Sequence, residues 1–213
     1  MEFIPGLNRP GKIVCVGRNY ALHAAELGNE LPTEPLLFLK PPSAVVYDGE
    51  TIVLPPQSRQ VEHEAEIGVV IGATVRNIDS EEAEAAIAGY VCVNDVTARD
   101  LQRTDKQWTR AKGFDTFCAV GPAVVPLEPG RWRELEVIGR VNGVERQHGE
   151  AADMHFGIPA IVAYIASVMT LEPGDLIATG TPAGVGPLTA GDIVEIEIPG
   201  IGTIANPVVG PGA

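Results

Sequence analysis

The sequence predicts a strand-rich α+β fold, with a mixed sheet coiled into a roll or barrel and a few short flanking helices. Three observations carry this. Gly (24) and Pro (18) make about a fifth of the 213 residues, against roughly 12% in average usage, which marks either disorder or a turn-rich strand protein. Hydrophobic residues are 45% of the chain and recur in short runs, so there is enough apolar surface to bury and disorder is excluded. The runs are bounded by Gly or Pro, and helical patterns do not alternate regularly with them, which argues against a wound parallel sheet. A chain of this length fits one domain, residues 1–213, with about the first ten and last seven residues as arms or tails.

Taken in order, residues 12–16 read as the first strand. Asn19 is placed to cap a helix running to Leu27, with Gly28 as its stop. The polar, Pro-punctuated stretch GNELPTEP (28–35) has the composition of a mobile flap. Strands follow at 36–39, 44–46, 51–54 and 67–71. Ser80, with Glu81 and Glu82 in the first turn, opens a second helix to about Ala88, and 90–93 is a further strand. Asn142-Gly143 between two alternating stretches marks a tight hairpin. Residues 158–169, with Pro159 in the first turn, form the longest apolar helix. Such a helix is too short for a bilayer, which needs about 20 residues, so it belongs to the core. A strand at 176–178 leads into the Gly-rich turn TGTPAGVG (179–186), and 193–198 turns at 200–202 into 203–205.

The charge balance is 15 basic against 28 acidic side chains, a formal net charge of −13. A chain this acidic repels a phosphate backbone, and it has no basic stripe, so nucleic acid and anionic membrane are poor partners. Cys15, Cys92 and Cys118 are an odd number in apolar stretches and read as buried thiols of a cytoplasmic protein. The start MEFIPGLNRPGK lacks the charged and apolar regions of a signal peptide.

Three features break the pattern. Glu62, Glu64 and Glu66 run into the apolar strand 67–71, and the strand period would put them on one face. They are either a solvated edge or a site for a hard cation, which takes oxygen ligands. Asp95 ends the apolar run YVCVND, where a carboxylate is either part of a turn or a third ligand. Arg99, Arg103, Lys106, Arg110 and Lys112 crowd into 14 positions, as a solvated helix face or as the holder of an anionic substrate. In addition, His23 and Glu26 stand three apart on one helix face, the spacing of a base oriented by a carboxylate, though a surface pair has the same spacing. The TGTP turn lacks a P-loop lysine but can bring N–H groups and hydroxyls near a small ligand. His63, His148 and His155 show no metal-ligand spacing; His148 and His155 read as structural or surface groups, and His63 should face away from Glu64 on the strand.

The ordered blocks GRNYALH (17–23), LLFLKP (36–41), HEAEIGVVIG (63–72), NDVTARDLQ (94–102), KGFDTF (112–117) and TGTPAGVGP (179–187) resemble the fumarylacetoacetate hydrolase family, in its short single-domain branch. The resemblance implies a mixed β-sandwich roll (β-clip, or FAH fold) assembled as a homodimer. It implies that Glu64, Glu66 and Asp95 hold Mg²⁺ or Mn²⁺, with no organic cofactor. His23 and Glu26 would form a water-activating dyad on a lid, and Lys112 would stabilise oxyanion charge. Arg18, Arg99, Gln102, Lys112 and Thr181 would contact a small anionic oxo-acid substrate. Ala119 stands where many relatives have Pro and Ile67 where Leu is usual, and neither is among these residues. The activity implied is carbon–carbon hydrolysis of acylpyruvate-like β-diketo acids, with oxaloacetate decarboxylation as a second activity. The alternatives are 2-hydroxyhepta-2,4-diene-1,7-dioate isomerase or 5-carboxymethyl-2-oxo-hex-3-ene-1,7-dioate decarboxylase activity, or a non-catalytic metal- or ligand-binding domain.

Overall fold

The structure, a computed structural model, describes residues 10–212. The strands are β1 (Ile13–Gly17), β2 (Leu36–Lys40), β3 (Val45–Tyr47), β4 (Ile52–Val53), β5 (Val61–His63), β6 (Ala65–Ile71), β7 (Ile87–Asp95), β8 (Thr97–Ala98), β9 (Cys118–Val125), β10 (Glu136–Val141), β11 (Val144–Glu150), β12 (Leu176–Ala178), β13 (Gly186–Pro187), β14 (Ile193–Ile198) and β15 (Gly202–Val209). The helices are short: α1 (Ala21–Glu26), α2 (Ser80–Ala85), α3 (Arg99–Thr104), α4 (Thr109–Lys112) and α5 (Ile158–Val168). No helix among the described residues is long and apolar enough to cross a membrane.

A seven-stranded sheet runs β2-β1-β12-β6-β7-β9-β3, a five-stranded sheet runs β11-β10-β14-β15-β4, and β13-β5-β8 form a small third sheet. The pairing is mixed: β1 with β12, β3 with β9 and β15 with β4 are parallel, and β6 with β7 is antiparallel. The strand β6 is buried at all seven positions and its two faces belong to different apolar layers. Ala65, Ile67, Val69 and Ile71 join the main core, which also takes in Ile158, Ile161 and Ile165 of α5 and Val194 and Ile196 of β14. Val70 joins a smaller cluster with Ile13, Cys15, Val91, Val93, Cys118 and Val120. The period of two then places Glu66 of β6, Asp95 of β7 and Lys40 of β2 on the face of that smaller cluster.

Most expected elements form where their patterns put them. The Asn142-Gly143 hairpin has φ of 53° and 74°, the paired positive values of a type I′ turn. Four details differ. Asn19 does not cap α1: its side-chain N–H groups donate to Phe156 O and Thr179 O, and its Oδ1 accepts from Phe156 N, so it ties three segments together. Asp79, one residue before Ser80, caps α2 in a reciprocal box with Glu82. The strand carrying Glu62 to Glu66 is broken at Glu64, where the chain passes from the small sheet to the large one. The C-terminal tail is shorter than expected, because 207–209 lie in β15 and Val208 and Val209 pair with Ile52 and Val53. Most of the expected N-terminal arm falls outside the described residues.

Candidate active site

One oxygen from each of Glu64, Glu66 and Asp95 can be chosen so that all lie within 4.8 Å of one another, and all three residues are buried. The sheet register explains the convergence. Glu66 stands opposite Val93 on β7, so Asp95 is its diagonal neighbour, and Asp95 N–H donates to Glu64 O at 2.9 Å. Glu62 is buried as well, which removes the solvated-edge reading of this acidic run.

Cations surround the three acids on one side. The Lys112 ammonium, at the end of α4, donates to Glu64 Oε2 at 2.8 Å and to Asp95 Oδ2 at 2.5 Å. Lys40 Nζ donates to Asp95 Oδ1 and, at 3.1 Å, to Val96 O. Arg99 donates through Nε to Glu62 at 2.7 Å, through Nη2 to Glu64 at 2.5 Å and through Nη1 to Gln102 Oε1 at 2.6 Å. Burial alone would raise the Glu64 carboxyl, but Lys112 and Arg99 outweigh it and hold Glu64 well below the usual range. Burial opposes the charge on Lys112, yet Asp95 and Glu64 hold its ammonium above its ordinary value.

Glu66 is the exception. Its Oε2 accepts from Gly180 N–H at 2.8 Å, and among the described residues it forms no ion pair. Burial, then Asp95 and Glu64, push its carboxyl well above the usual range. With all groups ionised, four buried acids (Glu62, Glu64, Glu66, Asp95) would exceed three buried bases (Lys40, Arg99, Lys112) by one negative charge, and it is Glu66 that lacks the compensating ion pair. An all-oxygen donor set with surplus negative charge suits a hard divalent cation such as Mg²⁺ or Mn²⁺, and in this sense the residues fit the ion.

The dyad faces the same space. His23 Nδ1 lies 3.2 Å from Glu26 Oε2 on α1. A carboxylate acceptor there makes Nδ1 the protonated nitrogen and leaves Nε2 as the basic one. Glu26 also accepts from Gly184 N–H at 3.1 Å, so the Gly-rich turn holds the dyad's acid. A cleft of about 410 Å³ is lined by all ten residues to which the resemblance gave a role: Arg18, His23, Glu26, Glu64, Glu66, Asp95, Arg99, Gln102, Lys112 and Thr181. The basic cluster contributes less than its sequence density promised. Arg99 and Lys112 are buried in the site, Arg103 lines the cleft from an exposed position, and Lys106 and Arg110 are exposed, Arg110 pairing with Asp105. The Arg99 donors are largely engaged by protein acceptors, whereas Arg18 lines the cleft without any side-chain partner among the described residues. Thr181 Oγ1 donates to Ala65 O at 2.9 Å, so toward the cleft its hydroxyl can only accept.

Sequence reasoning assigned no role to Lys40, Gln147, Phe38 or Trp108. Lys40 closes the apolar run LLFLK, and a lysine two positions from Phe38 on one strand face was a readable signal. Phe38 and Trp108 meet edge to face at 5.3 Å in the cleft wall. Gln147 lies in a strand that is otherwise mostly polar and exposed, and nothing local marks it. Of the other histidines, His148 and His155 are exposed, as read from the sequence, and His63 is buried against Gln147. Burial pushes the Cys118 thiol up to about 12, which makes it inert.

Residues 12–209 match the family described as fumarylacetoacetate (FAA) hydrolase C-terminal. The chain belongs to this family. The mitochondrial oxaloacetate decarboxylase of Dictyostelium discoideum is 44% identical over 197 residues, covering 90% of each chain. The crystal structure of 2-hydroxyhepta-2,4-diene-1,7-dioate isomerase from Mycobacterium marinum is 47% identical with a TM-score of 0.87, covering 96% of this chain and 77% of that one. Fumarylpyruvate hydrolase from Pseudomonas aeruginosa, in complex with Mn²⁺ and pyruvate, is 32% identical with a TM-score of 0.87, covering 94% and 90%. The relatives are thus a decarboxylase, an isomerase and a hydrolase on one fold.

Proposed function

We propose that this protein is a divalent-metal-dependent hydrolase that cleaves a carbon–carbon bond in acylpyruvate-like β-diketo acids, releasing pyruvate. The observation that carries the reading is the His23–Glu26 pair placed over the same cleft as the three carboxylates. Decarboxylation and isomerisation have less use for a group that activates water.

A cation held by Glu64, Glu66 and Asp95 would supply Lewis-acid stabilisation of enolate charge. The chain's own groups do the rest. The Arg18 guanidinium, without a side-chain partner among the described residues, would hold the substrate's carboxylate. His23 Nε2 takes a proton from water as its oxygen bonds to the distal carbonyl carbon, while Glu26 keeps the ring oriented through Nδ1–H. The carbon–carbon bond then breaks with its electron pair going to the pyruvate side. Lys112, already charged and buried, offsets the negative charge that develops there. A proton returned to the enolate carbon completes pyruvate, and the acyl fragment leaves as its acid.

The second reading is decarboxylation of oxaloacetate or isomerisation of a dienol dioate. It is favoured by the higher identity to the decarboxylase and isomerase relatives than to the hydrolase. A non-catalytic binding domain accounts less well for the dyad. The deciding experiment measures pyruvate released from acetylpyruvate, with and without EDTA, beside decarboxylation of oxaloacetate. We expect chelation to stop both, and His23→Ala to lower hydrolysis about 100-fold or more while leaving decarboxylation nearly intact. Equal losses in both reactions would remove water activation from the dyad's role. The homodimer is part of this proposal and is checked by light scattering in solution.

A further inference from the structure

We infer that Gln147, on the edge strand β11 of the second sheet, is a positioning residue that sets the TGTP turn against the carboxylate strand. This inference rests on the proposed function. The strand β11 is exposed at most positions, but Gln147 is 1% exposed. A bulge turns it inward: Gly139 pairs with Gln147 and Arg140 with Glu145, which leaves Arg146 as the extra residue. Room for the side chain comes from Gly139, where a Cβ would lie 3.3 Å from Gln147 Oε1 and 3.0 Å from the Ala65 methyl.

The amide makes all four of its hydrogen bonds inside the protein. Its Oε1 accepts from Ala65 N–H at 2.9 Å and from His63 Nδ1 at 2.8 Å. Its Nε2 donates to Thr181 Oγ1 at 2.7 Å and to Pro182 O at 2.8 Å. A backbone N–H can only donate and a backbone carbonyl can only accept, so these two partners fix which end of the amide faces which side. One half of Gln147 therefore grips the start of β6, between Glu64 and Glu66. The other half grips the turn that donates Gly180 N–H to Glu66 and Gly184 N–H to Glu26. The Gln147 bond also dictates where the Thr181 proton goes. With Nε2–H on its oxygen, the hydroxyl donates to Ala65 O and keeps a lone pair for the cleft. A shift of the turn would move Thr181 and the donor on Glu66 together. Groups that orient ligating side chains from behind typically contribute about 10–100-fold in affinity or activity.

The test is a double-mutant cycle between Gln147→Glu and Thr181→Val. Glu at 147 keeps both acceptor bonds to Ala65 N–H and His63 and loses both donors, so the strand side of the fold is held. Circular dichroism and a melting curve confirm that each variant is folded. We expect each single change to lower kcat/KM for acetylpyruvate about tenfold or more, with KM rising, and the double variant to be no worse than the poorer single one. Thr181→Ser, which keeps the hydroxyl, should restore near-wild-type values. Losses that multiply in the double variant, or a lower melting point with KM unchanged, would overturn the inference. Should the wild-type protein turn over neither acetylpyruvate nor oxaloacetate, the functional reading fails, and the same cycle is read on Mn²⁺ affinity by calorimetry. Non-additive weakening would then support the positioning role, and additive or absent effects would overturn it.

Discussion

Glu66 and Glu64 sit two residues apart, yet their surroundings act on them in opposite directions. Glu64 is held low by Lys112 and Arg99, against its burial. The stability from its ion pairs is therefore present above the ordinary value of 4.5 and is lost as pH falls below it. Glu66 is held high by burial, Asp95 and Glu64. What its proton contributes is complete below 4.5 and is lost as pH rises through the folded value. Glu66→Gln removes that loss and also removes a proposed metal ligand. In metal-free protein the variant should resist urea better than wild type at pH 8, with the advantage shrinking toward pH 4.5. Each kcal/mol gained would raise the melting point by about 2–4 °C. Mn²⁺ should raise the melting point of wild type and leave that of the variant nearly unchanged. A variant less stable than wild type at pH 8 without metal would show that Glu66 carries no uncompensated charge.

At the scale of the elements, the turn at 179–186 is bonded to β6, β11 and α1, and its glycines show how closely it is held. Gly184 has φ of +99°, and a Cβ there would lie 2.0 Å from the Arg146 carbonyl oxygen on β11. Gly143, in the hairpin turn, has φ of +74° with open space around it. Alanine at 143 should cost only the local backbone strain, about 1 kcal/mol. Alanine at 184 adds a backbone clash that only movement of the turn relieves, which also withdraws the N–H from Glu26. It should cost about 3 kcal/mol or more and lower hydrolysis further than the stability loss accounts for. Urea midpoints and kcat of the two variants check this, and equal effects would show that the turn is not pinned. The contrast also marks what was legible in the sequence. The hairpin was readable because Asn142-Gly143 is a local signal that needs only its own φ values. The carboxylate triad was readable because acids against a buried strand violate the strand's own pattern. Gln147 and the true place of Asn19 were not readable, since their partners lie 84 and 137 residues away and nothing near either residue is out of pattern. Lys40 lies between these cases: its charge is out of place in an apolar strand, but its partner Asp95 becomes visible only once β2 and β7 share a sheet.

At the scale of the whole molecule the formal charge is −13, and its distribution would decide how the proposed anionic substrate arrives. The formal charges lining the cleft cancel, four against four: Arg18, Arg99, Arg103 and Lys112 against Glu26, Glu64, Glu66 and Asp95. A bound divalent cation would make the cleft locally positive inside a negative body. An oxo-acid approaching from solution first meets the field of the whole chain, which repels it, and meets the attractive cleft only at short range. Salt shortens the reach of the outer field, from about 30 Å at 0.01 M to about 8 Å at 0.15 M, and screens the nearly buried site groups far less. The value of kcat/KM should accordingly rise about two- to threefold between those ionic strengths, at fixed metal concentration, with kcat unchanged. A dianionic substrate should show a steeper rise than a monoanionic one, because the repulsion scales with its charge. Replacing Arg18 by Gln should lower kcat/KM at both salt concentrations and leave the slope in place. A value of kcat/KM that falls as salt is added would mean that cleft cations steer the substrate from a distance and that the acidic exterior has no part in its approach.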